Sequence, residues 1–420
     1  MNGNASDQMA TVILKNGRVI DPVNGIDRKT DLLVRDGCIA SLEAGIKKPK
    51  AAAREIDVSG CWVVPGLIDM HVHLREPGEE YKETIQSGAK AAAAGGFTAV
   101  ACMPNTRPVN DNAAVTTLIL KQAAGACIRV YPVGALSRAS EGIALAEYGE
   151  MKEAGIVALS DDGRPVVNSQ LMRRALEYAS NYQLPVLCHS EELTLSSTGA
   201  MNEGTLSTRL GLRGIPRVAE EIMIYRDLAL AGYLGLPVHI AHVSTEEAVD
   251  LIRRAKAKGL QVTAETAPHY FSLNEEAVEM YDTHAKMNPP LRTPRDLAAI
   301  KAGLADGTLD AIATDHAPHS ILEKDVEFDL AANGIIGLET AVPLTLALIR
   351  EKVIDPATMI RLLSINPARI LGVNGGSLAV GHAADVTVID PERQFVYSEE
   401  MVVSKSKNSP FIGASLVGRA

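Results

Sequence analysis

The stretch "GLIDMHVHLREPG", Gly66 to Gly78, decides how the chain is read. It opens as an apolar strand and ends on two imidazoles one residue apart, His71 and His73, with Arg75 two residues on. Side chains i and i+2 of a strand share a face, so the two rings converge on one point. Burying two neutral imidazoles without partners costs free energy. Either a metal ion sits between them, or backbone carbonyls and water satisfy them. The rest of the chain has to decide.

Seven more apolar strand candidates follow: "TAVACMP", "IRVYPVG", "IVALSDD", "PVLCHS", "PVHIAHVS", "QVTAETAPHY" and "AIATDHAP". Helical stretches separate most of them. "YKETIQSGAKAAAAGG" is alanine-rich and closed by a glycine pair. In "STEEAVDLIRRAKAKG", Ser244 and Glu247 have capping-box spacing, and Gly259 is the expected stop. Eight strands alternating with helices predict an α/β fold, a (β/α)8 TIM-like barrel over residues 66–373. The rival, a doubly wound open sheet, lacks a G-x-G-x-x-G after its first strand.

Both chain ends read differently. "TVILKNGRVI", "DLLVRDGCIA", "AAREIDV" and "GCWVVPG" are short strands, with Asn16-Gly17 and Asp36-Gly37 as turn signals. "GGSLAVGHAADVTVIDPERQFVY" has the same character, and the closing "SLVGRA" reads as the start of a strand. A small β-sandwich domain is expected from 1–65 and 374–420 together.

With 46% hydrophobic and 22% charged residues, the 420-residue chain has an ordinary globular composition. No apolar run approaches a membrane span, and "MNGNASDQMA" lacks the build of a signal peptide. A formal net charge of −10 without a basic cluster argues against nucleic acid. The five cysteines form no C-x-x-C pair, which suits reduced thiols in the cytoplasm and no thiolate zinc site.

The unusual polar residues fall at strand ends: His71 and His73 on the first, Asp161-Asp162 on the fourth, His189 on the fifth, His242 on the sixth, Asp315 on the eighth. In a barrel these ends surround one mouth, where active sites are built. One strand-end Asp alone is more often a cap, and one core His more often hydrogen-bonded; the convergence overturns both readings. Imidazole with carboxylate and no thiolate suits zinc. The number of ligands suits two ions sharing a carboxylate. If Asp162 points inward, so do Ser160 and Ala158, while Leu159 and Val157 face the helices. Strand eight repeats this, with Ala311, Ala313 and Asp315 inward and Ile312 outward. Parity thus favours Asp162 over Asp161. It sets His239 on the face opposite His242, in a core or helix-facing role, and turns His316 away from Asp315. His269, His284 and His382 have no strand-end partner. His319, four residues past Asp315, is a candidate substrate contact.

"DMHVHLREPG", "CMPNT", "DAIATDHAPH" and "GIIGLETAVPL" resemble the signatures of the dihydroorotases, bacterial class I type, within the amidohydrolase superfamily. The resemblance spans nearly the whole chain. It implies a zinc-dependent enzyme of pyrimidine biosynthesis that interconverts N-carbamoyl-L-aspartate and L-dihydroorotate. It implies two zinc ions held by His71, His73, His189, His242 and Asp315, bridged by Asp162 and a hydroxide. Asp315 acts as general base and then acid. Substrate contacts fall on His73, Arg75, Asn105 of "CMPNT", Asn288 of "KMNPPLR", His319, and the main chain at Asn333-Gly334. The expected partners are a small anionic substrate, a second copy in a homodimer, and an aspartate carbamoyltransferase.

Hydantoinases, dihydropyrimidinases and allantoinases are the rival enzymes, and they resemble proteins with a bridging lysine; strand four here ends in "SDDG". A non-catalytic scaffold for aspartate carbamoyltransferase is the rival of another class, and it would have lost ligands that are all present here. The segment Pro318–Gly334 is longer than an ordinary connection and reads as a lid over the mouth.

Overall fold

The computed structural model describes residues 11–47, 53–196 and 198–420; the N-terminal stretch read for targeting, and Ala52 of "AAREIDV", lie outside them. All eight strand candidates form strands: Leu67–Val72, Phe97–Cys102, Arg129–Gly134, Ala158–Leu159, Leu187–Cys188, Val238–Ile240, Val262–Thr266 and Ala311–Ile312. The first four pair in parallel in chain order, as do the last four. Parallel bridges Leu159↔Val186 and Val72↔His316 join the two halves, so the sheet closes on itself. Inside lies a cluster with many small side chains, including Ala99, Ala101, Ala158, Ala311 and Ala313 beside Ile68, Met70 and Leu187. Their alternates Val100, Cys102, Leu159 and Ile312 belong to the core between strands and helices. This alternation is the period of two on which barrel packing rests.

Helices follow the strands where the local chemistry starts them. Thr84 caps Ile85–Ala94 in a capping box with Ser87. The helix expected to start at Ser244 spans Glu246–Ala257, and its cap is Thr245, whose side chain accepts from Ala248 N. Ser244 is withdrawn from that role because its backbone and hydroxyl both donate to the buried Glu220.

Strands from both chain ends share one connected seven-stranded sheet. Its order is Ser415–Arg419, Val386–Val396, Trp62–Pro65, Thr11–Asp21, Ile26–Arg35, Cys38–Glu43, with Ala53–Asp57 forking off Thr11–Asp21. Asn16-Gly17 is a register irregularity within the first strand. Asp36-Gly37 has both residues at positive φ and turns a hairpin. Between the last two strands the chain returns to the barrel. Glu339 accepts from Val403 N and Ser404 N, and Glu83 from Lys405 N. Among the described residues no helix is long and apolar enough to cross a membrane, and all five cysteines are free thiols.

Candidate active site

The six strand-end residues singled out above meet at the barrel mouth. Asp162 is their centre. Its Oδ1 lies 3.3 Å from His71 Nε2, 3.3 Å from His189 Nδ1 and 3.5 Å from His242 Nε2, and its Oδ2 lies 3.4 Å from His73 Nε2. Asp315 Oδ1 is 2.9 Å from His73 Nε2 and 3.6 Å from His71 Nε2. Two triads with metal-ligand spacing share the carboxylate: His71, His73, Asp162 and Asp162, His189, His242. Burial works to raise Asp162, but His71, His189 and His242 outweigh it and hold the carboxyl well below its usual range. Partial burial works to raise Asp315 too, but His71 and His73 hold it down to about 2.

Asp161 points away. Its carboxylate accepts from Leu136 N and Ser137 N and tethers the neighbouring loop.

Parity carries only as far as the strands do. Ile68 and Met70 face the interior, yet so do His71 and His73, because the register is irregular between Asp69 and Val72 and the facing switches there. Arg75, His242 and Asp315 have φ of 63°, 35° and 49°, left-handed values that re-aim each side chain as the chain leaves its strand. The His239 expectation is therefore corrected. With His242 turned by its own backbone, His239 also faces the interior, 3.2 Å from Glu265 Oε2 and 2.8 Å from Thr263 Oγ1. Val157 likewise packs at the fringe of the interior cluster rather than against the helices. His316 does turn away, with Glu83 3.6 Å from its Nε2. His269 is buried edge-on to Tyr270, and burial pulls it down to about 4.

Behind the imidazoles stand acceptors, two of which, Glu265 and Glu191, sequence reasoning missed. Glu265 Oε1 is 2.7 Å from His71 Nδ1, and Glu191 Oε2 is 3.0 Å from His189 Nε2. Asn105 Oδ1 is 2.9 Å from His73 Nδ1. Each fixes one ring nitrogen as a donor and leaves the other as a lone pair facing Asp162. His71 Nε2 is buried with no hydrogen-bond partner. An unpartnered imidazole lone pair among carboxylates is what a bound dication requires, so the residues fit zinc. The missed signal for Glu265 was legible: a carboxylate within the apolar strand "QVTAET".

Above this floor is a cavity of about 240 Å³ lined by His73, Asp162, His189 and Asp315 together with Arg75, Asn105, Asn288, His319, Asn333 and Gly334. All the expected substrate residues are on its wall. Asn288 Nδ2 also donates to Glu191 Oε2 at 2.9 Å, so it steadies His189 indirectly. Arg75 spends Nε on Pro318 O and lies 3.2 Å from His319 through Nη2, leaving other N–H groups free of protein acceptors. His319 Nε2 is also 2.8 Å from Asn333 O. A side chain at Gly334, where φ is 122°, would collide with Ala317.

The expected lid is strongly fastened. Lys324, on a short helix Ile321–Lys324, donates to the carbonyls of Thr283, Lys286 and Ala332. From the returning C-terminal segment, Asn408 accepts from His319 N and donates to Ala317 O and Gly334 O.

The sequence pattern of the amidohydrolase family matches residues 62–413. A dihydroorotase of Geotalea daltonii is 59% identical over 410 residues, 97% of this chain and 96% of that protein. One of Desulfotalea psychrophila is 60% identical over 409 residues, with the same coverage. Among solved structures, L-hydantoinase from Arthrobacter aurescens superposes with a TM-score of 0.86 at 24% identity, covering 98% of this chain and 94% of that one. That likeness speaks to the fold.

Proposed function

The chain belongs to the amidohydrolase family, and we propose that within it this protein is a zinc-dependent dihydroorotase of the bacterial class I type. It would open L-dihydroorotate with water to N-carbamoyl-L-aspartate, and close it again in pyrimidine synthesis. The observation that carries the reading is one carboxylate, Asp162, set among four imidazoles beneath a cavity that also receives Arg75. Full-length similarity to dihydroorotases at 55–60% identity supports it.

His71, His73, Asp162, His189, His242 and Asp315 would hold two zinc ions with Asp162 between them. Zinc held there supplies a Lewis acid for the ring carbonyl and brings the pKa of water from about 15.7 towards about 7. The chain's own residues do the rest. Arg75 offers its remaining N–H groups to the substrate carboxylate as a planar fork. Asp315, ionised and facing the cavity, accepts the proton of the attacking water and passes it to the ring nitrogen as the amide C–N bond breaks. Ring closure uses the same atoms in reverse. The fastened segment 318–334 keeps the cavity small and fixes His319 beside Arg75.

The absence of a lysine in "SDDG" supports this reading over a hydantoinase or allantoinase, and the presence of all six candidate ligands supports an enzyme over a scaffold. Free thiols suit a cytoplasmic protein. A second copy and an aspartate carbamoyltransferase are its proposed partners. Purified protein should turn over L-dihydroorotate far faster than hydantoin or allantoin and contain about two zinc per chain by metal analysis, as a two-ion site requires. Faster turnover of hydantoin overturns the substrate, and a metal-free active protein overturns the mechanism.

A further inference from the structure

Glu265 is buried with one donor on each carboxylate oxygen, and both donors are imidazoles. His71 Nδ1 lies 2.7 Å from Oε1, and His239 Nε2 lies 3.2 Å from Oε2. Among the described residues nothing else donates to this carboxylate. Strand geometry sets the pair up. His239 on Val238–Ile240 is the direct partner of Thr263 on Val262–Thr266, and Glu265 follows two residues on, on the same face. The His239 ring lies across both, its Nδ1 2.8 Å from Thr263 Oγ1. Its backbone is tied on either side, to Val186 O and in the ladder to strand seven. On the side away from the mouth, His239 and Thr263 border a cavity of about 720 Å³ at the N-terminal ends of the strands. Thr263, His239, Glu265 and His71 thus form a chain across the barrel. It ends on the ring whose Nε2 faces Asp162 at 3.3 Å.

We propose that His239 is a positioning residue for the metal centre. By holding Glu265 Oε2 it fixes the carboxylate plane that presents Oε1 to His71 Nδ1, and so sets the direction of the His71 lone pair. The inference rests on the reading of His71 as a metal ligand and on nothing in the choice of substrate. The last torsion of a glutamate is broad, so a carboxylate held through one oxygen turns freely. Donors on both oxygens stop that rotation. Without His239, Oε2 is left buried and unpaired, and the carboxylate relieves the cost by turning away from His71. Filling space does not account for the ring. Ile68, Met70, Ala158 and Leu187 fill other interior positions, and an imidazole with two polar nitrogens is a costly filler.

Two amides separate positioning from packing. The amide nitrogen of glutamine reaches the place of His239 Nε2, whereas asparagine ends near Nδ1 and keeps only the Thr263 contact. Zinc affinity of the full chain, read by competition with a chromogenic chelator, should fall about 3–10-fold in His239→Asn, one bond further from the metal than Glu265. His239→Gln should restore the wild-type value. In a Glu265→Ala background His239→Asn should cause no further fall, because its effect passes through the carboxylate. Histidine nitrogen chemical shifts of the unaltered protein give a reading independent of any variant, and should place a proton on His239 Nε2. Wild-type affinity in His239→Asn overturns the proposal, as does an equal fall in both amides, an undiminished fall in the Glu265→Ala background, or an Nε2 without a proton. A wild-type chain that binds no zinc overturns the metal reading and this inference with it. One that binds zinc but leaves L-dihydroorotate intact overturns the substrate alone, and the affinities still decide the role of His239.

Discussion

His71 Nδ1 lies 2.7 Å from Glu265 Oε1, with both side chains buried beneath the cavity floor. Burial works to raise the glutamate, but His239 and His71 bring it down to about 2, so an ionised acceptor stands behind the imidazole. That bond holds the Nδ1–H tautomer and aims the Nε2 lone pair at Asp162. Glu265→Gln keeps the volume and loses the charge. Zinc affinity, read by competition with a chromogenic chelator, should fall about 10–100-fold. Affinity equal to wild type would show that the bond only fills space.

The two aspartates of strand four should separate cleanly. Asp162→Ala should lose at least one zinc and nearly all turnover. Asp161→Ala should keep its zinc yet lower Tm, because Leu136 N and Ser137 N lose their acceptor. Metal analysis and a melting curve on each variant decide it, and equal metal loss in the two refutes the assignment.

In the proposed mechanism, chemistry and substrate binding fall to different side chains. Asp315→Asn should cost at least about 100-fold in kcat, since an amide cannot move the proton. Arg75→Lys replaces a fork by a point charge and should act mainly on KM. A KM unchanged in that variant argues against carboxylate recognition by Arg75.

Asn408 is remote in sequence from every barrel strand, yet it makes three hydrogen bonds to the cavity wall. Asn408→Ala should raise KM several-fold and speed hydrogen exchange in 317–334, leaving zinc content untouched. Unaltered exchange there would show that Lys324 alone suffices to fasten the segment.

His319 should remain neutral through the physiological range. Burial, then the nearby Arg75, Lys82 and Lys324, pull its pKa down to about 2. As pH falls below about 6.5 the unfolded chain takes up a proton at this position and the folded chain does not, so its contribution lowers stability from that pH downwards. Nitrogen chemical shifts of His319 in ligand-free protein should report neutral imidazole at pH 5; a protonated ring at that pH contradicts this.

The barrel, its eight strands and the convergence of six polar strand-end residues were legible because they rest on short-range rules. Alternation with period two sorts Ala158 from Leu159 and Ala311 from Ile312, and a polar residue closing an apolar strand marks the mouth. The choice of Asp162 over Asp161 followed from the same rule. What the chain does where regular geometry stops was decided only in three dimensions. The left-handed backbone at His242 upset the parity that had sent His239 outward, and an irregular register after Asp69 turned His71 towards the site. Glu265 behind His71, Glu191 behind His189 and Asn408 behind His319 are partners 194, 2 and 89 residues apart in sequence. Local periodicity places a side chain on a face. Closure of the barrel and the return of the C-terminal segment determine which buried polar group meets which, because each such group must find its partner wherever the folded chain brings one.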